Sequence, residues 1–291
     1  MKEIVVLSGK GGTGKTSVTA ALAGLGPAKV LADCDVDAAD LHLVLAPSVL
    51  HQEPFISGEL AEIDPDLCTS CGLCRDGCRF EAITDDFQVV AEHCEGCGLC
   101  DFICPIQAVT MHPRRCGEWY KSQTRFGTMI HAALDIGAEN SGKLVTTVRQ
   151  KSQEQAESEG VDLILTDGPP GIGCPAIASL TGADLALLVA EPTVTAVHDL
   201  KRVAELTRHF KIDTAVIINK ADLQPSLEQE IRDFCETSGL DVLGRLPYVE
   251  TFTLAQIKGQ SVVEYDPGGL GKLFQGLWNN LEKHLQGEHK Q

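Results

Sequence analysis

The sequence predicts an α/β fold in which a mostly parallel sheet is flanked by helices and interrupted by a small α+β insert. Three continuous apolar runs, 161–166, 185–190 and 214–218, predict strands that are buried on both faces, with helical stretches between them. Two shorter apolar runs, 4–7 and 29–32, flank an Ala/Leu-rich stretch near the N-terminus. Between 63 and 113 this alternation stops, and cysteine, glycine and acidic residues replace it. We therefore predict an α/β domain, 1–62 with 114–291, and an inserted domain, 63–113.

Composition limits the classes of partner. The 291 residues carry 41 acidic and 24 basic side chains, a net charge of −17, so the surface repels polyanions and nucleic acid is not an expected partner.

The apolar runs are shorter than the about 20 residues that a membrane span needs, and no targeting segment is evident. Basic residues are few in the final helical stretch, 273–281, which favours packing on the sheet over membrane binding. We expect a cytoplasmic protein that does not bind membranes.

A glycine-rich loop follows the first predicted strand and precedes the first predicted helix, which is the context that a phosphate-binding loop requires. Residues 9–16 fit the P-loop pattern, in which backbone N–H groups and a helix N-terminus bind phosphate. Lys15 would contact the β- and γ-phosphates, and the hydroxyl of Thr16 would bind Mg²⁺. The residues predicted to bind nucleotide here are Gly9, Lys10, Gly11, Gly12, Thr13, Gly14, Lys15, Thr16 and Ser17.

A second lysine at the start of this loop, Lys10, resembles the deviant P-loop of the MinD/ParA/nitrogenase-iron-protein group of ATPases. The resemblance implies a P-loop NTPase fold, ATP and Mg²⁺ as ligands, and a homodimer that forms on ATP binding. In that group the early lysine reaches the nucleotide of the partner subunit and stabilises charge in the transition state, as an arginine finger does. A solvated loop lysine is the alternative interpretation.

Further motifs extend the resemblance over about residues 2–50 and 114–285. By this resemblance Asp35 would orient the attacking water near Mg²⁺, Asp167 would hold Mg²⁺ through a water, and Gly171 would donate its N–H to the γ-phosphate. Catalysis would rest on Lys10, Lys15 and Asp35. Segment 219–222 also resembles a guanine signature, so GTP stays open beside ATP. The base-recognition residues would be Asn219, Lys220, Asp222 and Pro247.

The insert contains two copies of one motif, C-x₂-C-x₂-C-x₃-C. This is the run of bacterial two-cluster ferredoxins, in which the fourth cysteine of each run binds the other cluster. The pattern predicts a bacterial-ferredoxin-like domain with two 4Fe–4S clusters: Cys68, Cys71, Cys74 and Cys104 would bind the first, and Cys78, Cys94, Cys97 and Cys100 the second. Arg79 departs from the pattern, which has proline there. A pair of zinc knuckles is the alternative, but it does not explain two interleaved quartets.

One cysteine outside the insert, Cys174, also suggests a ligand. It lies seven residues after Asp167, the offset at which the nitrogenase iron protein places a cysteine that binds a cluster between two subunits. A cysteine that only packs in the fold is the alternative interpretation.

Three roles fit an ATPase that carries clusters. The role we favour from the sequence is iron–sulfur cluster or metal assembly and transfer. The first alternative is ATP-gated electron transfer, as in the nitrogenase iron protein, and the second is a MinD-like positioning ATPase with structural or sensory clusters. Assembly and electron transfer would each need a further partner, an unidentified cluster-acceptor or redox protein.

Overall fold

The computed structural model describes residues 1–135, 137–138 and 140–287. These residues form two compact units. Within the described residues, the first, called here the α/β unit, contains Met1–Gln52, Trp119–Ala133 and 141–287. The second, called the cysteine unit, contains Glu53–Glu118 and Leu134–Asn140. The predicted insert, 63–113, falls inside the cysteine unit, which extends beyond it on both sides.

The sheet of the α/β unit has parallel neighbours along β5-β2-β6-β1-β7-β8-β9, and β4 and β3 continue the order next to β5. The prediction of a mostly parallel sheet is therefore confirmed. Over the described ranges the strands are β1 (Lys2–Ser8), β2 (Val30–Asp33), β3 (Ser48–Ile63), β4 (Val109–Thr124), β5 (Gly127–Leu134), β6 (Leu163–Pro170), β7 (Leu185–Ala190), β8 (Asp213–Ile218) and β9 (Asp241–Arg245).

Helices flank this sheet, and two short ones, α3 and α4, belong to the cysteine unit. No helix of the described ranges is long and apolar enough to cross a membrane. The helices are α1 (Lys15–Ala23), α2 (Leu41–Leu45), α3 (Leu73–Gly77), α4 (Leu99–Ile103), α5 (Ser141–Glu159), α6 (Cys174–Leu180), α7 (Val194–His209), α8 (Pro225–Ser238), α9 (Thr251–Ile257), α10 (Val262–Tyr265) and α11 (Leu270–Leu285).

Two apolar layers cover the two faces of the α/β sheet. Side chains alternate along a strand, so Ile4 and Val6 of β1 enter one layer and Val5 and Leu7 enter the other. The first layer includes α1 and α11, and the second includes α7 and α8. Both faces of β1 are therefore buried, which explains its continuous apolar run. In α11 the largest side chain, Trp278, is only 2% exposed.

The cysteine unit has a much smaller core. One cluster of its buried apolar side chains comprises Ala61, Ala82, Cys94 and Val109, with other cysteines packed partly buried against them. The helices α3 and α4 each follow a glycine with positive φ, Gly72 and Gly98, at equivalent positions of the two cysteine motifs. The repeat seen in the sequence is thus a repeat of local backbone structure.

Candidate nucleotide site and cysteine cavities

The glycine-rich loop connects β1 to α1 at the carboxyl edge of the sheet. Gly12 and Gly14 have φ values of +80° and +91°, which side chains other than glycine rarely adopt. A Cβ at Gly14 would also overlap the side-chain amide of Asn219, which donates to the carbonyl of Thr13 at 2.7 Å. The loop is therefore held in its curved shape by the segment that follows β8.

Lys15 lies between two carboxylates at the start of α1. Its Nζ is 3.1 Å from Asp167 Oδ1 and 3.3 Å from Asp35 Oδ2, and it is 6% exposed. Burial acts to lower the pKa of Lys15, but the attraction of Asp167 and Asp35 outweighs it, so the pKa is raised and the ammonium stays charged. The hydroxyl of Thr16 donates to Asp167 Oδ2 at 2.6 Å. Four predicted residues thus meet at one point.

The loop that carries Asp35 is fixed by Asp33, a residue to which the sequence analysis assigned no role. Asp33, fully buried at the end of β2, accepts the backbone N–H groups of Asp35 at 3.2 Å and Leu41 at 3.3 Å. Burial and the nearby charge of Asp167 raise the pKa of Asp33 well above its usual range. Burial also raises the pKa of Asp35. The signal in the sequence was an aspartate directly at the end of an apolar strand.

A cavity of about 610 Å³ opens beside these groups, a volume suited to a small ligand. Phe252 and Gln256, which the sequence motifs did not indicate, also line it, together with Tyr248. The amide of Gln256 donates to the Ser17 hydroxyl at 2.8 Å. The predicted residues that line it are Gly11, Gly12, Gly14, Lys15, Thr16, Ser17, Asp35, Asn219, Lys220 and Pro247.

Several predicted residues serve the site from behind the cavity wall. Asp222 accepts the backbone N–H of Tyr248 at 2.7 Å, which ties the loop after β8 to the loop after β9. The N–H of Gly171 donates to the carbonyl of Ser8 at 2.9 Å, so it reaches a γ-phosphate only after that bond breaks. Gly9 packs directly on α7, because a Cβ added there would overlap the Cβ and backbone of Asp199.

Lys10 points to its own subunit's β7–α7 connection. Its Nζ is 2.9 Å from Glu191 Oε1 and donates to the hydroxyls of Thr193 at 3.2 Å and Thr195 at 3.1 Å. The other oxygen of Glu191, Oε2, is 2.7 Å from Nζ of Lys220. The sequence analysis missed Glu191, since an isolated glutamate after a strand belongs to no motif considered there.

The eight cysteines of the repeat line two separate cavities in the cysteine unit. The grouping is the one predicted from the crossed motif: one cavity is lined by Cys68, Cys71, Cys74 and Cys104, the other by Cys78, Cys94, Cys97 and Cys100. Backbone N–H groups of Ser70 and Ala108 point at the sulfurs of Cys68 and Cys104, at 3.4 and 3.3 Å. Within residues 1–135, 137–138 and 140–287, no three His, Cys, Asp or Glu side chains are placed to hold a single metal ion.

Cys174 lies apart from both cavities. Cys174 is exposed at the first position of α6. It lies close to α5, because a Cβ added at Gly142 would be 3.4 Å from the Cβ of Cys174. The three other cysteines outside the repeat, Cys34, Cys116 and Cys235, are buried. Because Cys174 is exposed, a role in packing alone suits it less well. That Cys174 binds a cluster stays a prediction.

Comparison with known proteins places the α/β part of the chain. Residues 4–262 match the CobQ/CobB/MinD/ParA nucleotide binding domain. The chain belongs to this family. It is 37% identical over 221 residues to an uncharacterized protein of Methanocaldococcus jannaschii, a match that covers 75% of this chain and 78% of the relative. The α/β, P-loop NTPase part of the predicted fold class is thereby confirmed.

Solved structures share the fold of this CobQ/CobB/MinD/ParA chain. The cell division ATPase MinD of Pyrococcus furiosus is 22% identical with a TM-score of 0.59, and 97% of this chain and 98% of that one are covered. The septum site-determining protein MinD of Pyrococcus horikoshii, complexed with Mg-ADP, is 20% identical with a TM-score of 0.59, covering 100% and 99%. The ferredoxin-like nature of the insert stays a prediction beside this family assignment.

Proposed function

We propose that the chain is an ATP-dependent dimeric switch that binds Mg–ATP and hydrolyses it. The observation that carries this proposal is the meeting of Lys15, Thr16 and Asp167 beside a nucleotide-sized cavity. The match to a nucleotide-binding family and the Mg-ADP bound by the similar P. horikoshii protein support it. The buried hydroxyl of Thr13, which finds no hydrogen-bond partner among the described residues, fits a loop completed by its ligand.

The donor set around Lys15 fits a magnesium ion. Mg²⁺ prefers oxygen ligands and is usually bound through one or two carboxylates with phosphate oxygens. The Thr16 hydroxyl and the Asp167 carboxylate are such groups, and bound Mg²⁺ would neutralise charge on the phosphates. Lys15 would then exchange part of its contact with Asp35 and Asp167 for the phosphates. That exchange would leave the Asp35 carboxylate free to orient a water.

Substitution of the two loop lysines tests this proposal. Lys15→Ala removes the buried ammonium, and we expect a loss of at least about 100-fold in kcat for ATP. Lys10→Ala should lower kcat with little change in nucleotide affinity, because its proposed target lies in the partner subunit. Lys201→Ala, which removes an exposed lysine of α7, is the matched control. Normal hydrolysis by Lys15→Ala would refute the proposed site, and the same assays with GTP decide the base preference.

The comparisons favour one of the three roles considered from the sequence. The similar solved structures include cell division and septum site-determining MinD proteins, so they support a MinD-like positioning ATPase better than a role in cluster assembly or transfer. We therefore propose the positioning role as the first to test. Localisation of a fluorescent fusion in dividing cells checks it, since a uniform distribution with and without Lys15→Ala would argue against positioning.

The two cysteine cavities favour a second property, the binding of two 4Fe–4S clusters. A cluster needs four thiolates spread around it, one for each iron, and each cavity offers four cysteines from both copies of the repeat. Bound clusters would supply one-electron chemistry or structural cross-links to the unit.

Iron and sulfide counts on anaerobically reconstituted protein test cluster binding. We expect about eight irons per chain in the wild type and about four in Cys97→Ser. Cys174→Ser is the matched control, because Cys174 is exposed and lies outside both cavities. A count near two irons, or zinc in their place, would refute the clusters. A loss of iron in Cys174→Ser would instead support a bridging ligand.

A further inference from the structure

Glu191 occupies the centre of a network that joins three loops. It directly follows β7, which lies between β1 and β8 in the sheet. Lys10 follows β1, and Lys220 follows β8, so the two lysines come from opposite sides of Glu191. Each oxygen of the carboxylate contacts one lysine, at 2.9 and 2.7 Å. The topology of the sheet therefore makes Glu191 the common partner of both cations.

The contacts of Lys10 satisfy its ammonium within its own subunit. Its three donors meet Glu191, Thr193 and Thr195, and the last two begin α7. An ammonium group has three N–H donors, so this set leaves none for another acceptor. Lys10 must release at least one of these partners before it can contact a second nucleotide.

Lys220 connects Glu191 to the phosphate loop. Besides Glu191, its Nζ donates to the carbonyl of Gly12 at 3.0 Å. Burial acts to raise the pKa of Glu191, but the hydrogen bonds from Lys220 and Lys10 outweigh it and leave the pKa lowered. Glu191 is 6% exposed, so its charge is held close to the two ammonium groups with little solvent between them.

We infer that Glu191 is a positioning residue that holds Lys10 in its own subunit until nucleotide binds. The phosphates of a bound nucleotide bring negative charge to the Gly11–Gly12 part of the loop and compete with Glu191 for both lysines. Because the single carboxylate of Glu191 contacts both lysines, competition for Lys220 and competition for Lys10 both weaken the contact that holds Lys10. The inference rests on the proposed nucleotide-dependent dimer and adds a residue that opposes its formation in the free chain.

The test measures dimer formation separately from hydrolysis. The mass of the full chain is followed by sedimentation while AMP-PNP with Mg²⁺ is added, and affinity is measured with a fluorescent nucleotide on dilute monomer. Glu191→Gln keeps the shape and removes the charge. We expect it to lower the AMP-PNP concentration at half-dimerisation at least fivefold and to tighten the monomer's nucleotide affinity by a smaller factor, because release of Lys10 adds to dimer formation beyond the competition for phosphate.

Two further variants make the result specific. Thr195→Val removes one contact of Lys10 and keeps Glu191, so it should shift the midpoint in the same direction by a smaller factor, and it decides the matter if Glu191→Gln does not fold. Glu230→Gln, which removes an exposed carboxylate paired with Lys201, should leave the midpoint unchanged.

A midpoint that is unchanged or higher in folded Glu191→Gln or Thr195→Val would overturn the inference and leave the proposed dimer standing. If the wild-type chain stays monomeric at saturating AMP-PNP, the dimeric switch itself fails and the holding role of Glu191 fails with it. The two failures are distinguished by the wild-type protein alone.

Discussion

The two units form their candidate sites by different means. In the α/β unit, Lys15 and Thr16 both contact Asp167, at the carboxyl edge of the sheet. Two extensive apolar layers cover the faces of that sheet. In the cysteine unit, the cluster around Ala61, Ala82 and Val109 is much smaller, and cysteines of the repeat are part of it. The comparison teaches that the first site is organised by contacts within the fold, whereas the second unit, by our proposal, depends on bound clusters for part of its stability.

The sharpest test of this contrast is removal of iron from reconstituted protein with a chelator. We expect backbone amides of 53–118 to lose at least about 100-fold in hydrogen-exchange protection, because metal binding supplies folding free energy that a small core cannot replace. Amides of β1, β7 and β8 should keep their protection. Hydrogen exchange with mass spectrometry measures both units in one sample. Equal protection of 53–118 with and without iron would contradict the contrast.

A glycine pair tests how far the fold alone organises the phosphate loop. Gly14→Ala places a Cβ against Asn219 at a φ of +91°, and we expect it to lower the free energy of unfolding by about 2–3 kcal/mol without any nucleotide. Gly11→Ala is the matched control, because nothing lies within 4 Å of its added Cβ and its φ is ordinary. Urea unfolding measures both. Equal stabilities would show that the loop is not constrained by its neighbours.

The buried side chain of His131 makes a smaller, pH-dependent contribution to the stability of the α/β unit. Burial lowers the pKa of His131 to about 4, with a further contribution from His42, and its Nε2 is 2.8 Å from the Ser122 hydroxyl. Between pH 6.5 and 4 the unfolded chain binds more protons at this residue, so stability falls on acidification. From pH 7 to pH 5 the loss is about 2 kcal/mol.

Comparison of two variants separates the contribution of His131 to stability from that of the carboxylates, which titrate in the same pH range. His131→Gln should lose less stability than the wild type between pH 7 and pH 5, whereas His209→Gln, an exposed change in α7, should follow the wild type. Urea unfolding at both pH values measures the difference. Parallel losses in all three proteins would contradict the lowered pKa of His131.

The sequence could predict those parts of the molecule whose burial leaves a local pattern of apolar residues. Strands buried on both faces appear as apolar runs, so β1, β6, β7 and β8 were evident. The long strands β3 and β4 were not, because most residues of β3 are exposed and leave no apolar run. Their length comes from pairing between distant segments, which a local pattern does not record.

The same limit applies within the sites. The cysteine quartets could be predicted from the motif, because in the two-cluster ferredoxin run the fourth cysteine of each copy joins the first three of the other. Glu191 acts through Lys10 and Lys220, which are far away in the chain, and only the fold brings these partners together. Asp33 binds backbone groups of its near neighbours Asp35 and Leu41, but its place beside Asp167 comes from strand pairing. Gly171 illustrates the reverse case, since its predicted ligand is phosphate while its N–H has a carbonyl partner here.

The packing of Gly9 on Asp199 has a mechanical consequence. Because no side chain separates the start of the phosphate loop from α7, a displacement of the loop pushes directly on the helix backbone. The helix has 16 residues and so extends about 24 Å. It would carry a small movement at the phosphates to its far end at His209, where a spectroscopic label could report the nucleotide state without touching the site.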